Sequence, residues 1–239
     1  MVVDASEMRY NRDSLRSRER GELMVILSDL SEVLIRGLYG TEDIIEWRYG
    51  REAGERFWQR HLEITNTWCD AMRGKCSEDD YWQKICENGE LELSVAELKD
   101  AFSENLSRKV PGTLDVYQRI VGTPRSLEPG AEITYGRTDI RIVSDHVRER
   151  LVELRKLHPA VFTLATRCYW SFETGLLKGD SGFFARLLKE SNLAPDEVVF
   201  VDDMQSNVDA AKEAGIKTIQ FMDAEQLEQE LGELGFRFF

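Results

Sequence analysis

Long apolar runs are missing from this 239-residue sequence. None approaches the roughly 18 residues that a membrane-spanning helix requires. The polar N-terminus also lacks the basic stretch followed by an apolar stretch that marks a secretory signal. Cysteine is scarce. Cys69, Cys76, Cys86 and Cys168 show no C-x-x-C and no other paired metal spacing, which argues against a zinc site and a disulfide framework alike. They are expected as free thiols, buried in whole or in part, with a Cys76–Cys86 bridge as the alternative. Positive charge is in deficit: 31 Lys and Arg stand against 44 Asp and Glu, for a net charge of -13 and a pI near 4.8. Nucleic-acid phosphates call for a basic face, so no nucleic-acid partner is expected. The expectation is a cytoplasmic, reduced protein with no membrane partner. A small anionic ligand stays open, because one lysine and a bound metal can override the global field locally.

The composition that remains, 42% apolar and 31% charged, is ordinary for a globular enzyme, and the length allows one large or two small domains. The chain is organised around Val25-Ile26-Leu27-Ser28-Asp29-Leu30-Ser31-Glu32-Val33-Leu34. An apolar run bounded by small polar residues reads as a buried parallel strand, and α/β sheets bind ligands at the carboxyl ends of such strands. Asp29 falls at that edge. Alone, an Asp there is a turn former or a helix N-cap. Three further stations change the weighing: Ser144 follows Arg141-Ile142-Val143, Lys178 stands in Gly175-Leu176-Leu177-Lys178, and Asp202-Asp203 follow Val198-Val199-Phe200-Val201. Together they supply a carboxylate nucleophile, a hydroxyl, a cation and a carboxylate pair. Each has a plain alternative as a helix cap, a solvated lysine or a solvated turn.

Residues 1–20 carry Arg9, Arg12, Arg16, Arg18 and Arg20 among acids and serines, with almost nothing apolar after Val3. A polar tail or short exposed helix is expected there. Residues 40–110 differ in texture. Ile44, Ile45, Trp47, Phe57, Trp58, His61, Leu62, Ile64 and Trp68 recur at helical spacing, and Ser77 and Ser94 open acid-rich first turns, so a set of short helices with an aromatic core is expected. Pro111-Gly112-Thr113 marks a return to the core, and residues 122–136, with Pro124, Pro129 and Gly130, read as a surface loop. Beyond it, strands are expected over 140–143, 198–201 and 216–221, and a short segment near the sheet over 161–164. Helices are expected over 147–157, 183–191 and 207–214, and after Asp223. The alternation predicts an α/β protein: a doubly wound, Rossmann-like parallel sheet core (21–39 and 111–239) with an inserted all-helical domain (40–110).

The order and chemistry of the four stations resemble the haloacid dehalogenase-like (HAD) hydrolase superfamily. The likeness runs from about residue 23 to residue 221 and is closest to members whose first motif reads D-L-G-G-V-L or D-L-G-N-V-L, here Asp29 to Leu34. The fourth motif, Val201-Asp202-Asp203 followed by Asn207, Val208, Ala210, Ala211 and Gly215, is its most specific piece. The resemblance implies a helical cap inserted after the first strand. It also implies a Mg²⁺-dependent phosphatase that hydrolyses a small phosphorylated metabolite, for example a sugar phosphate, through an aspartyl-phosphate intermediate at Asp29. Asp29, the backbone carbonyl of Ser31 and Asp203 would then hold Mg²⁺, with Asp202 at or beside the ion. Ser144 and the adjoining Asp145 would face the substrate, Lys178 would neutralise its phosphate and orient Asp29, and Asn207 would order its loop.

Two departures qualify that implication. Family phosphatases usually carry a second Asp two positions after the nucleophile, as acid to the leaving group and base to the water; Ser31 stands there. Losing such help costs about 10²- to 10⁴-fold. The D-L-G-G-V-L and D-L-G-N-V-L members lack it too, and Glu32, where they have Gly or Asn, is a candidate substitute acid. Second, Lys178-Gly179 replaces the common Lys-Pro. Two other readings follow the same fold. A metal-free haloacid dehalogenase would use the same nucleophile but would gain nothing from two bare carboxylates at Asp202 and Asp203. A catalytically weak or inactive binding protein would explain Ser31 and Glu32. The aromatic residues of the cap and the tail over 236–239 would suit a homodimer or a docked C-terminus.

Overall fold

The computed structural model describes residues 24–87, 89, 91–121 and 138–238. The expected tail over 1–20 and loop over 122–136 lie outside the described residues. In chain order the elements are β1 (Met24–Ser28), α1 (Thr41–Tyr49), α2 (Arg51–Met72), α3 (Glu78–Cys86), α4 (Val95–Leu106), α5 (Thr113–Val121), β2 (Thr138–Ser144), α6 (Leu151–Leu157) and α7 (Pro159–Leu164). There follow β3 (Arg167–Trp170), α8 (Ser171–Thr174), α9 (Phe183–Ser191), β4 (Val198–Asp202), α10 (Gln205–Glu213), β5 (Lys217–Gln220) and α11 (Ala224–Glu233).

The five strands are parallel in the order β3-β2-β1-β4-β5. Side chains alternate across a strand, and the core divides accordingly. Ile26, Ile140, Ile142, Val199, Val201 and Ile219 pack with Val116, Tyr117 and Ile120 of α5 and Leu227 and Leu231 of α11. Val25, Leu27, Val143, Val198 and Phe200 pack with Phe183, Phe184, Leu187 and Leu188 of α9 and Ala211 of α10. β1 thus lies at the centre of a sheet covered on both faces, the arrangement that makes its residues uniformly apolar.

The inserted helices α1–α4 form the cap. Ser77 and Ser94 each close a capping box, with Asp80 and Glu97 respectively, which satisfies the free N–H groups of α3 and α4. Phe57, Trp68, Tyr81, Trp82 and Phe102 are buried together, with ring centroids 4.7 Å apart for Trp68 and Tyr81 and 5.6 Å for Trp82 and Phe102. Trp47 departs from the expected stripe, for it is 81% exposed. The cap is also not made of short helices alone: α2 runs 22 residues, with non-helical angles at Ile64.

The two chain crossings between core and cap are bonded to each other. Ile35 and Lys109 form an antiparallel bridge, Arg36 N donates to Arg108 O at 2.9 Å and Val110 N donates to Leu34 O at 3.0 Å. Asn105 Nδ2 donates to Gly37 O (2.9 Å) and Tyr39 O (2.7 Å). The four cysteines are free thiols. Among the described residues no helix is long and apolar enough to cross a membrane.

Candidate active site

Strand register brings three of the four stations to one sheet edge. Ser28 pairs with Val201, so the next residue, Asp29, donates its N–H to Val201 O at 2.8 Å and lies beside the end of β4. Behind it, Tyr117 OH donates to Ser28 Oγ (3.0 Å), and Ser28 Oγ donates to Asp29 O (2.8 Å). Asp29 Oδ1 accepts Leu30 N–H at 2.7 Å, and Oδ2 lies 2.7 Å from Lys178 Nζ.

Lys178 enters from the loop after α8 and is 2% exposed. Its Nζ also donates to Asp202 Oδ2 at 2.6 Å, while its backbone N–H reaches both oxygens of Asp145 (3.1 and 3.2 Å). Asp145, expected on the substrate, therefore holds the main chain that presents the lysine. Asp202 is fully buried. Its Oδ1 accepts Met204 N–H (2.9 Å) and Asn207 Nδ2 (3.0 Å), which gives Asn207 the loop-ordering contact the resemblance implied. Carboxylate oxygens of Asp29, Asp202 and Asp203 lie within 4.8 Å of one another. Both oxygens of Asp202 and both of Asp29 already have partners, so the less buried Asp203 is the most open of the three to a cation, with Asp29 beside it. The Ser144 hydroxyl is buried at the end of β2 and has no hydrogen-bond partner among the described residues. A buried unpaired hydroxyl is costly, and at this edge it suits an oxygen of a bound ligand.

The loop after Asp29 explains the two unusual residues. Glu32 sits in left-handed backbone, φ 59, a region that Gly or Asn adopts with less strain. Its Oε1 accepts Gly37 N–H and its Oε2 accepts Arg36 Nη1, both at 2.7 Å. Both oxygens of the candidate substitute acid are thus committed to holding the loop. Ser31 packs against Gly37, where an added Cβ would come within 2.9 Å of Ser31 Cβ and 3.2 Å of its Oγ. Gly37→Ala is expected to cost about 1–3 kcal/mol through overpacking. Thermal unfolding would read this as a fall in Tm of about 5 °C.

Electrostatics follow from crowding. Burial, with Asp202 and Asp203 adding to it against the pull of Lys178, raises the Asp29 pKa well above the usual carboxylate range. Burial, then Asp202, pushes Asp203 up to about 6, and burial pushes Asp145 to about 6 against the pull of Lys178. Burial alone would lower Lys178, but Asp202, Asp29 and Asp145 outweigh it and raise its pKa. The lysine stays charged, and four carboxylates share its single charge. Two residues outside the four stations also bear on this cluster, and neither carries a signal in residue spacing. Burial and the charges of Asp203, Cys69, Glu32 and Glu42 raise the phenol of Tyr39, and Arg73 of the cap pairs with Asp180 two residues beyond Lys178.

No family model matches the chain. The fold is that of the HAD-like hydrolases. Among solved structures, a HAD family enzyme of Bacteroides thetaiotaomicron is similar at a TM-score of 0.66 and 18% identity, covering 87% of this chain and 98% of that one. A magnesium complex of that enzyme is similar at a TM-score of 0.64 and 15% identity, covering 88% and 98%. In sequence, the chain is 26% identical to the sesquiterpene phosphatase astK of Aspergillus oryzae over 160 residues, 67% of this chain and 74% of that protein. It is 23% identical to the drimenol cyclase drtB of Aspergillus calidoustus over 185 residues, 72% of this chain. That match spans 30% of the cyclase.

Proposed function

We propose that the protein is a Mg²⁺-dependent phosphomonoesterase with Asp29 as nucleophile. The observation that carries this reading is the strand-edge cluster itself: Asp29 2.7 Å from Lys178 and clustered with Asp202 and Asp203, beside a buried hydroxyl without a partner. Four carboxylates around one lysine leave a deficit of positive charge, which fits a hard, oxygen-seeking divalent ion. Asp29, Asp203 and the Ser31 carbonyl would hold it. Bound there, Mg²⁺ supplies the charge that lets a carboxylate approach a phosphate. The magnesium complex of the Bacteroides enzyme supports the same choice of ion.

The chain's own residues then have distinct tasks. Lys178 orients Asp29 and neutralises a phosphate oxygen, and Ser144 donates to another. Asp29 attacks phosphorus, the P–O bond to the leaving group breaks, and water hydrolyses the resulting aspartyl phosphate. Ser31 cannot act as a carboxylic acid near neutral pH and Glu32 is engaged by Gly37 and Arg36, so neither protonates a departing alcohol, and p-nitrophenyl phosphate, whose leaving group needs no proton, is expected to turn over faster than any alkyl ester.

For the substrate, an alkyl or terpenyl phosphate is favoured over a sugar phosphate. Met204 follows Asp203 in the chain and Tyr39 lies within reach of its charge; 42% and 46% exposed, they offer apolar surface where a sugar would need polar partners. The likeness to the sesquiterpene phosphatase supports this choice. The test is hydrolysis of p-nitrophenyl phosphate, farnesyl phosphate and glucose 6-phosphate with and without Mg²⁺. Metal-dependent turnover with farnesyl phosphate ahead of glucose 6-phosphate is expected. No turnover by folded protein in excess Mg²⁺ would favour the binding-protein reading instead. Because Asp203, a proposed ligand, is pushed up to about 6 by burial and then by Asp202, protons compete with the ion. At limiting Mg²⁺, turnover is expected to fall by about tenfold per pH unit below that range, with added Mg²⁺ restoring it.

A further inference from the structure

The end of α2 is one place where the cap meets the core, apart from the buried Glu78–Arg150 pair between α3 and the segment after β2. Ser171 Oγ of the core donates to Met72 O at 2.6 Å. Gly74 lies so close to Phe172 that a Cβ there would sit 3.1 Å from Phe172 O. Between these two contacts, Arg73 reaches across to the core. Its Nε and Nη2 donate to Asp180 Oδ2 (3.0 Å) and Oδ1 (2.7 Å), a two-pronged pair between residues 107 positions apart. The same Asp180 Oδ2 accepts the N–H of Leu177 at 2.9 Å, and Asp180 N donates to Leu177 O at 2.9 Å. Asp180 thus closes a tight loop around Lys178 while the cap grips its outer side. Asp145 holds a further backbone donor of the loop, Lys178 N–H.

We propose that Arg73 is a positioning residue that makes the placement of Lys178 depend on the seating of the cap. With the cap seated, the planar guanidinium fixes both oxygens of Asp180, a geometry that an ammonium group cannot reproduce. The Leu177–Asp180 loop then delivers Lys178 Nζ to Asp29 and Asp202. When the end of α2 lifts, Asp180 loses its partner, the loop relaxes, and the lysine no longer holds the nucleophile. Chemistry is thereby confined to the closed state, in which the cap also keeps bulk water out. The catalytic consequence rests on the phosphatase reading above, whereas the structural coupling stands independently of it.

Two measurements on the full chain separate these layers. Amide hydrogen exchange across residues 175–182 reports the loop directly, and steady-state kinetics with p-nitrophenyl phosphate and Mg²⁺ report its use. In Arg73→Ala, exchange at Leu177 and Lys178 is expected to quicken by about tenfold. A misplaced catalytic group should also lower kcat by about 10²-fold with KM changed little. Arg73→Lys should fall between Arg73→Ala and the wild type in both. Asp180→Asn, which keeps an acceptor for Leu177 N–H but removes the charge that Arg73 grips, serves as the milder variant should Arg73→Ala fail to fold. If exchange quickens only at the end of α2 while residues 177–180 stay protected, Arg73 merely secures the cap and the coupling is wrong. A rise in KM with kcat unchanged would likewise overturn it in favour of a substrate-binding arginine. A wild type with no turnover would sink the phosphatase reading, and the exchange result would still decide the coupling.

Discussion

Asp29→Asn is expected to lower Mg²⁺-dependent turnover of p-nitrophenyl phosphate by about 10⁴-fold or more, the loss typical of removing a nucleophile. The amide keeps the shape of the carboxylate and can still accept the Leu30 N–H that Asp29 Oδ1 accepts at 2.7 Å, so the loss would not reflect a collapsed loop. Stability supplies a second readout with a definite sign. The Asp29 pKa is raised in the folded chain, so the ionised form is disfavoured by folding. The stability this linkage provides is present at low pH and is lost as pH rises through the folded pKa. Near neutral pH and without metal, the neutral Asn removes that strain, and its melting temperature is expected to equal or exceed that of the wild type. A variant that melts markedly lower would show that the bond to Lys178 outweighs the repulsion from Asp202 and Asp203.

Lys178→Met carries the largest expected loss of stability. The side chain is 2% exposed and lies 2.7 Å from Asp29 and 2.6 Å from Asp202. Met fills a similar volume but leaves those carboxylates without a counter-charge. Removing one partner of a buried pair costs about 3–5 kcal/mol, which corresponds to a fall in Tm of about 10 °C in a chain of this size. The loss should shrink when Mg²⁺ is added, because a bound cation restores part of the missing charge, and it should shrink at low pH as Asp29, whose pKa burial raises, takes up a proton. Thermal melts at pH 5 and pH 7.5, with and without Mg²⁺, check each direction. An equal loss under all four conditions would mean that packing, and not charge, is what Lys178 provides.

Much of this arrangement was legible in the sequence because it is local. Asp29, Ser144 and Asp202 each end a buried apolar strand, and a parallel sheet brings strand ends together by its own geometry. The third strand was harder to see. Arg167–Trp170 is an edge strand whose residues run from exposed Arg167 to buried Trp170, so it lacks an uninterrupted apolar signature. The more apolar 161–164 instead belongs to α7, which Pro159 starts at a position where its missing N–H costs nothing. The kink at Ile64 and the length of α2 were also hidden, since helical spacing does not say where a helix breaks. The roles of Asp145 and Asp180 were beyond reach for another reason. Each acts through a backbone N–H of the Lys178 loop, and such contacts leave no trace in residue spacing. The engagement of Glu32, the candidate substitute acid, is invisible in residue spacing, because the left-handed backbone that accompanies its contacts with Gly37 and Arg36 is a property of the folded loop.

The stem where the chain leaves the sheet after Leu34 and returns at Val110 has a bearing on how such proteins diversify. Its two arms are zipped side by side through Ile35–Lys109, Arg36–Arg108 and Leu34–Val110, so everything between them starts and finishes at one point. From the standpoint of the sheet, the whole helical cap is a decorated hairpin. Such a segment can change in length without rethreading the strands, as long as Arg150, which Glu78 of the cap pairs in a buried contact, keeps a partner. Natural variation and laboratory grafting can thus recombine what is recognised with what is done to it, provided the new cap brings an arginine, or its equivalent, for Asp180 to hold.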